Sequence, residues 1–167
     1  ARIPSNVRDF YDREEVKSVY NPEVQSIIKK VTDAREVIVF DHTFRTINDA
    51  VIETNEAREP VKAVHNDYTD RSAFQRVRDI MGDEKAEVLL RQHFAIVQTW
   101  RPFNHRVMTE PLALADGRTI PNSDFVALQR RYSYRTAETY HISYDPEHVF
   151  FYLSEMTPEE TYIFKVF

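Results

Sequence analysis

Apolar side chains recur at helical spacing in two parts of the chain. Between Val24 and Val31 they stand at i, i+3, i+4 and i+7, the stripe of an amphipathic helix. Asn21 is a good N-cap residue and Pro22 suits the first helical position, so this helix is predicted to begin there. Two further helices are predicted, Ser72–Met81, which Gly82 ends, and Asp83–Arg91.

Strand patterns dominate the rest of the sequence. Glu138–Tyr144 alternates cleanly, with its tyrosines on one face and His141 on the other, as in a pleated strand. Thr46–Pro60 is charged and without periodicity, so we expect a loop there. The other runs that predict strands are Glu36–Phe40, Val61–Tyr68, Phe94–Trp100, Leu112–Leu114, Phe125–Leu128, Val149–Leu153 and Tyr162–Phe167.

Helices followed by strands predict a mainly β fold with flanking helices. The length of 167 residues suits one domain. We expect a helical N-terminal segment, residues 1–34, and a strand-built core, residues 35–167, with a helical insertion at about 72–91. The chain stops inside an apolar strand at Phe167, so the core is expected to continue beyond that residue.

Composition excludes several function classes. A net charge of -5 argues against nucleic acid and anionic membranes as partners. The absence of cysteine excludes disulfides and thiolate chemistry, and only 2 glycines disfavour a dinucleotide-binding loop. No apolar window is long enough for a membrane span. A cytoplasmic location, which we expect, is compatible with this composition, and so is a homodimer.

His65-Asn66-Asp67 is the sharpest chemical feature. Residues two apart on an extended backbone project to the same side, so His65 and Asp67 can grip one ion. With a third ligand from a distant strand they would form the two-histidine, one-carboxylate face typical of Fe(II) oxygenases. The alternative is a structural pair, because His and Asp two apart often occur by chance.

The triplet stands in an ordered series of sequence blocks. In chain order these are Phe40–Arg45, Val64–Thr69, Arg76–Arg78, Ala86–Leu90, Phe94–Pro102, Pro111–Asp116, Glu138–Tyr140, Tyr144–His148, Met156–Glu160 and Phe164–Lys165. Together they resemble the CmcJ/AsaB-like hydroxylase/desaturase family over nearly the whole chain from about residue 35. One departure is Ala137, where relatives often carry glycine.

The resemblance implies an Fe(II)/2-oxoglutarate-dependent oxygenase that hydroxylates or desaturates a small-molecule, secondary-metabolite-like substrate, on a double-stranded β-helix (jelly-roll) core. His65 and Asp67 match its first two iron ligands. The third looks like a His in a Pro-His-Thr block after the Phe-Lys strand, and an Arg for 2-oxoglutarate follows it; both are expected beyond Phe167. Within this chain, His141 and His148 are the alternatives for the third ligand.

Five more residues are candidates for the pocket. Arg101 is placed to pair with a carboxylate of 2-oxoglutarate or substrate, or else to form a structural ion pair. Arg45 is a weaker candidate for the same cofactor. Tyr68, Trp100 and His42 are candidates for the substrate wall, although aromatic residues on strands are more often core.

Two other functions stay open at this point. A jelly-roll ligand-binding module without metal would use His65 and Asp67 only as hydrogen-bonding groups. A cupin-type dioxygenase or metal-dependent hydrolase would use the metal without 2-oxoglutarate. A metal-binding assay on the full-length protein distinguishes the oxygenase from the ligand-binding module. Succinate release coupled to substrate turnover distinguishes it from the cupin-type dioxygenase and the hydrolase.

Overall fold

The computed structural model describes residues 2–131 and 136–167. These residues form two compact units, each assembled from separate stretches of the chain. Unit 1 comprises Ala1–Pro60, Thr99–Glu110 and Glu155–Tyr162, and unit 2 comprises Val61–Gln98, Pro111–Ser154 and Ile163–Phe167. Among the described residues, no helix is both long and apolar enough to span a bilayer.

A continuous helical segment opens unit 1. It consists of α1 (Arg13–Glu15), a π-helical turn (Val16–Tyr20) and α2 (Asn21–Thr32). Asp12 caps it by accepting hydrogen bonds from two backbone N–H groups, so the prediction that Asn21 is the N-cap is wrong. The Asn21 N–H bonds Val16 O in the π-turn. Pro22, which has no N–H to donate, follows this widened turn without breaking the helix.

Two predictions for residues 36–60 are also wrong. Glu36–Phe40 is extended but belongs to no strand of the described chain, because β-branched composition forms a strand only where a partner strand is available. Thr46–Pro60 contains a helix, α3 (Asp49–Asn55), capped by the Asn48 side chain. It was missed because none of its residues is buried, so it carries no apolar stripe.

Unit 2 contains the predicted pair of helices, α4 (Asp70–Met81) and α5 (Asp83–Leu89). Thr69 begins α4 in a capping box with Ser72. Gly82 separates the helices with φ of 74° and ψ of 152°. Its φ is positive, as the prediction of a glycine stop requires, but its ψ lies outside the left-handed helical region that was predicted.

Seven strands are described, most of them shorter than predicted. They are β1 (His65–Asn66), β2 (Val97–Trp100), β3 (Leu114–Ala115), β4 (Phe125–Arg131), β5 (Thr136–Ile142), β6 (Phe150–Phe151) and β7 (Tyr162–Lys165). They form sheets of order β1-β5-β4, β2-β7 and β3-β6. The division between the units falls within β2 and β7. The described strands form no closed barrel, so a complete jelly roll stays a prediction.

The antiparallel three-stranded sheet of unit 2 has two different faces. Glu138 and Gln129, which are cross-strand partners, lie on the face that meets α4, where Ser72 Oγ donates to Glu138 O at 2.7 Å. Residues directly opposite each other in a sheet share a face. His65, His141 and Val126 are opposite one another on β1, β5 and β4, so they line the other face.

Candidate metal centre

His65 and Asp67 converge as the sequence predicts. His65 lies on β1 and Asp67 follows immediately after the strand, and His65 Nε2 is 3.3 Å from Asp67 Oδ1. Two ligand atoms bound at right angles to one ion, each at about 2.1 Å, are about 3.0 Å apart. The observed separation is therefore close to that of two adjacent ligands of a divalent metal.

The tautomer of His65 also suits a metal ligand. His65 Nδ1 is 2.8 Å from Ala63 O, and because a carbonyl only accepts hydrogen bonds, Nδ1 carries a proton. In the neutral ring Nε2 then presents its lone pair towards the Asp67 carboxylate. That approach is favourable only with a proton or a cation between the two atoms. A backbone carbonyl on the other ring nitrogen is the usual arrangement at a metal-binding histidine.

The segment that carries His65 and Asp67 is anchored on both sides. Asn66 Nδ2 donates to Tyr68 O and to Val166 O, each at 2.8 Å. Thr69 Oγ1 donates to Glu138 Oε1 at 2.6 Å. This bond and, next, the amide of Gln129 lower the pKa of Glu138 from its ordinary value of 4.5. The triplet is thus fixed to β5 and to the chain after β7.

His141 is the imidazole that unit 2 brings to this face. The His65 and His141 rings are 6.2 Å apart between centroids, with planes at 33°. In the described residues, however, only Asp124, Asp145 and His148 form a group of three with all donor atoms within 4.8 Å of one another. Coordination of one ion by His65, Asp67 and His141 would thus require an adjustment of side-chain positions.

His148 lies in a separate cluster with Asp124 and Asp145, and its role as a third ligand beside His65 and Asp67 stays a prediction. His148 Nε2 is 2.9 Å from Asp124 Oδ2, and its side chain is only 3% exposed. Asp145 Oδ1 accepts the Glu147 N–H at 2.8 Å, which stabilises the turn before β6. These hydrogen bonds give the cluster a structural role, and its donor atoms make it the alternative site in any metal titration.

Four of the predicted site residues belong to unit 1, whereas His65, Asp67 and Tyr68 belong to unit 2. One Arg101 nitrogen donates to Ile3 O and, at 2.7 Å, to Thr161 Oγ1. The Arg101 guanidinium also lies 5.3 Å from the centre of the Tyr20 ring. These contacts are of the structural kind that the sequence left open, and a role in binding 2-oxoglutarate stays a prediction.

The other three unit 1 candidates have contacts of their own. Trp100 is 6.0 Å from Tyr162 between ring centroids. His42 Nε2 is 2.7 Å from Asn21 Oδ1, and Arg45 donates to Glu59 O at 2.8 Å. Their predicted roles at the pocket remain untested by these contacts.

Gln98 is a residue at the site that the sequence analysis missed. Its side-chain amide donates to Asp67 Oδ2, which is the carboxylate oxygen not facing His65 Nε2. A signal was present, because Gln98 is an amide within the apolar run Phe94–Trp100. Buried polar side chains need partners, so a glutamine there indicates a polar neighbour across the fold.

Comparison with known proteins now places the chain. Residues 1–167 match the family described as "Oxidoreductase/YMDC permease-like domain". An alpha-ketoglutarate-dependent dioxygenase, tstK, of Talaromyces stipitatus is 31% identical over 165 residues, covering 93% of this chain and 58% of tstK. The hydroxylase/desaturase efuI of Hormonema carpetanum is 28% identical over 181 residues, covering 94% of this chain and 60% of efuI.

A solved structure agrees with these sequence relatives. The iron and alpha-ketoglutarate-dependent endoperoxidase NvfI superposes with a TM-score of 0.85 at 28% identity, covering 94% of this chain and 57% of that protein. The chain belongs to the oxidoreductase/YMDC permease-like domain family. The resemblance to hydroxylase/desaturases is confirmed by these relatives. The chain spans 58% and 60% of the length of tstK and efuI.

Proposed function

We propose that the protein is an Fe(II)/2-oxoglutarate-dependent oxygenase that hydroxylates or desaturates a small secondary-metabolite-like molecule, on a jelly-roll core. The observation that carries the proposal is the 3.3 Å approach of His65 Nε2 to Asp67 Oδ1, with the imidazole tautomer set by Ala63 O. The names of the relatives support the cofactor and the reaction class.

His65 and Asp67 would hold the iron. Together with 2-oxoglutarate and O2, the bound iron would oxidise a substrate C–H bond. In hydroxylation, one oxygen atom of O2 enters succinate, which forms with CO2 from 2-oxoglutarate, and the other enters the product. In desaturation the substrate loses two hydrogens and the second oxygen atom leaves as water. The electrons come from 2-oxoglutarate and the substrate, so no further reductant is needed.

The exposed face of the three-stranded sheet suits a largely apolar substrate. Val126 and Leu128 on β4 are 51% and 46% exposed, and Val126 lies directly opposite His141 in the sheet. Exposed apolar side chains around a polar pair are typical of a ligand-binding surface. A substrate bound on this face would contact Val126 and Leu128 and lie next to His65 and Asp67.

The remaining assignments belong to the same proposal. His141 is the third-ligand candidate within this chain, because its strand register puts it on the face of His65. Arg101 and Arg45 remain the proposed partners of the 2-oxoglutarate carboxylates, and Tyr68, Trp100 and His42 the proposed substrate contacts. A rise in the Kd for 2-oxoglutarate in Arg101→Ala would support the first of these roles.

The test is an anaerobic titration of the intact chain with Fe(II) and 2-oxoglutarate, followed by visible absorption. We expect an absorption band in the native chain that His65→Ala and Asp67→Ala abolish, because each removes an iron ligand. The matched control is His93→Ala, which removes an exposed imidazole from the same unit and should leave the band unchanged. Oxygen is then admitted and succinate is measured.

The variants also separate the competing assignments. An unchanged band in His65→Ala would reject the site, and its loss in His148→Ala instead would assign the ion to the cluster of Asp124, Asp145 and His148. Loss of the band in His141→Ala as well as in His65→Ala would identify His141 as the third ligand. Metal binding without succinate formation would favour the hydrolase or cupin-type alternative.

A further inference from the structure

Gln98 contacts the carboxylate of Asp67 at the oxygen that His65 does not face. Gln98 lies on β2, a strand of four residues, and its side-chain amide donates to Asp67 Oδ2. Asp67 Oδ1 is the atom 3.3 Å from His65 Nε2. The two oxygens of one carboxylate therefore have different partners.

We infer that Gln98 is a positioning residue that makes Asp67 a single-oxygen metal ligand, with Oδ1 directed to the ion beside His65 Nε2. The inference rests on the proposed function. A carboxylate can bind a metal through one oxygen or through both. The hydrogen bond from Gln98 occupies Oδ2 and opposes rotation of the carboxylate, so chelation through both oxygens is disfavoured.

Asp67 needs this support more than its neighbours do. Its side chain is 44% exposed, so packing alone does not fix its rotamer. The backbone around it is already anchored by Asn66, whose amide donates to Tyr68 O and Val166 O. Gln98 therefore acts on the orientation of the Asp67 side chain rather than on the path of the chain. Outer partners of this kind commonly contribute 10–100-fold to metal affinity.

Single-oxygen binding by Asp67 has a consequence for the reaction. A facial site holds three protein ligands and leaves three positions for O2 and the two oxygens of 2-oxoglutarate. If Asp67 chelated through both oxygens, it would occupy one of these positions. Gln98 thus keeps a position available to the cosubstrates.

The experiment is a Co(II) titration of the intact chain, followed by visible absorption, for Gln98→Leu and Gln98→Asn. Leucine keeps the volume but removes the donor, and asparagine keeps an amide that is one methylene too short. Both variants should bind Co(II) roughly 10–100-fold more weakly than the native chain. Both should also show an altered Co(II) band, because Asp67 becomes able to chelate.

The matched control is Gln75→Leu. Gln75 Nε2 also donates to a carboxylate, Asp79 Oδ1, at 2.9 Å, but in the exposed part of α4. The Gln75→Leu variant should have the same Co(II) affinity and the same band as the native chain. Circular dichroism verifies that each variant is folded. Gln98→Asn keeps the test valid if the leucine variant does not fold.

Three outcomes are decisive. Weaker affinity with an altered band in a folded Gln98 variant supports the inference. Affinity within about twofold of the native chain and an identical band would overturn it while leaving the proposed function intact. A Co(II) band that is the same in His65→Ala as in the native chain would overturn both the inference and the proposed function.

Discussion

Replacing Thr69 with valine removes a single hydroxyl that joins the chain after Asp67 to helix α4 and strand β5. Thr69 is only 2% exposed. Its Oγ1 donates to Glu138 Oε1 at 2.6 Å and accepts the Ser72 N–H at 3.1 Å. Valine has nearly the same shape, so the substitution deletes both hydrogen bonds without opening a cavity.

The expected loss follows from those two bonds. Removal of an N-cap side chain costs about 1 kcal/mol, within a range of roughly 0.5–2. A hydrogen bond to a charged group contributes about 1.5–3 kcal/mol, and we take the lower end because Glu138 is only partly buried. The free energy of unfolding of Thr69→Val should therefore fall by about 2–3 kcal/mol at pH 7.

Urea unfolding followed by circular dichroism measures this loss. The control is Thr54→Val in α3, whose exposed hydroxyl donates to Ala50 O at 2.7 Å; its free energy of unfolding should change by no more than about 0.5 kcal/mol. A loss below about 0.5 kcal/mol in Thr69→Val would refute the reasoning, because it would mean that neither hydrogen bond contributes to stability.

The same pair of proteins gives a pH test. The pKa of Glu138 is lowered from 4.5, first of all by the hydrogen bond from Thr69. A lowered carboxyl pKa contributes stability that is complete above the unfolded value and is lost as the pH falls through the folded one. The difference between native protein and Thr69→Val should therefore narrow below pH 4.5, towards the contribution of the helix cap. A constant difference across that range would contradict the role of Glu138.

Three other predictions concern stability and charge elsewhere. Met156 is 1% exposed, so Met156→Ala should lower the free energy of unfolding, measured in urea, by roughly 2–5 kcal/mol. A loss under about 1 kcal/mol would show that the surrounding residues close around the smaller alanine. Gly82→Ala meets no atom within 4 Å but keeps a φ of 74°, so it should cost roughly 1–3 kcal/mol of backbone strain by the same assay; an unchanged midpoint would refute that strain. Hydrogen bonds from Arg118 lower the pKa of Asp116 to about 2, so Arg118→Ala should return this pKa towards 3.8, as measured by carbon NMR titration. In the native protein the contribution of Asp116 to stability should be present above pH 3.8 and lost as the pH falls through about 2.

The sequence was informative where a pattern is local. The stripe within Ser72–Met81 and the glycine after it predicted α4 and its end, because i, i+3, i+4 spacing and a positive φ are properties of neighbouring residues. The period of two in the His-Asn-Asp triplet likewise predicted the convergence of His65 and Asp67. These two side chains are the part of the candidate site that the sequence alone brings together.

The sequence failed where the outcome depends on distant partners. Glu36–Phe40 has strand composition but no strand beside it in the described chain, and strand propensity is decided by such neighbours. Gln98 stands 31 positions from Asp67, and no spacing rule connects them. Asp124, the partner of His148, is 24 positions away, so the sequence offers no signal for their pairing, and a role of His148 as a metal ligand stays a prediction.

One hydrogen bond sets an order of events during synthesis of the chain. Asn66 Nδ2 donates to Val166 O across 100 positions of sequence, so the loop that carries His65 and Asp67 gains this anchor only after β7 has been synthesised. Contacts of such long separation form slowly because a large loop must close first. An ion held as proposed by His65 and Asp67 would therefore be bound firmly only after Val166 has been synthesised, and a nascent chain that ends before Val166 should hold it poorly.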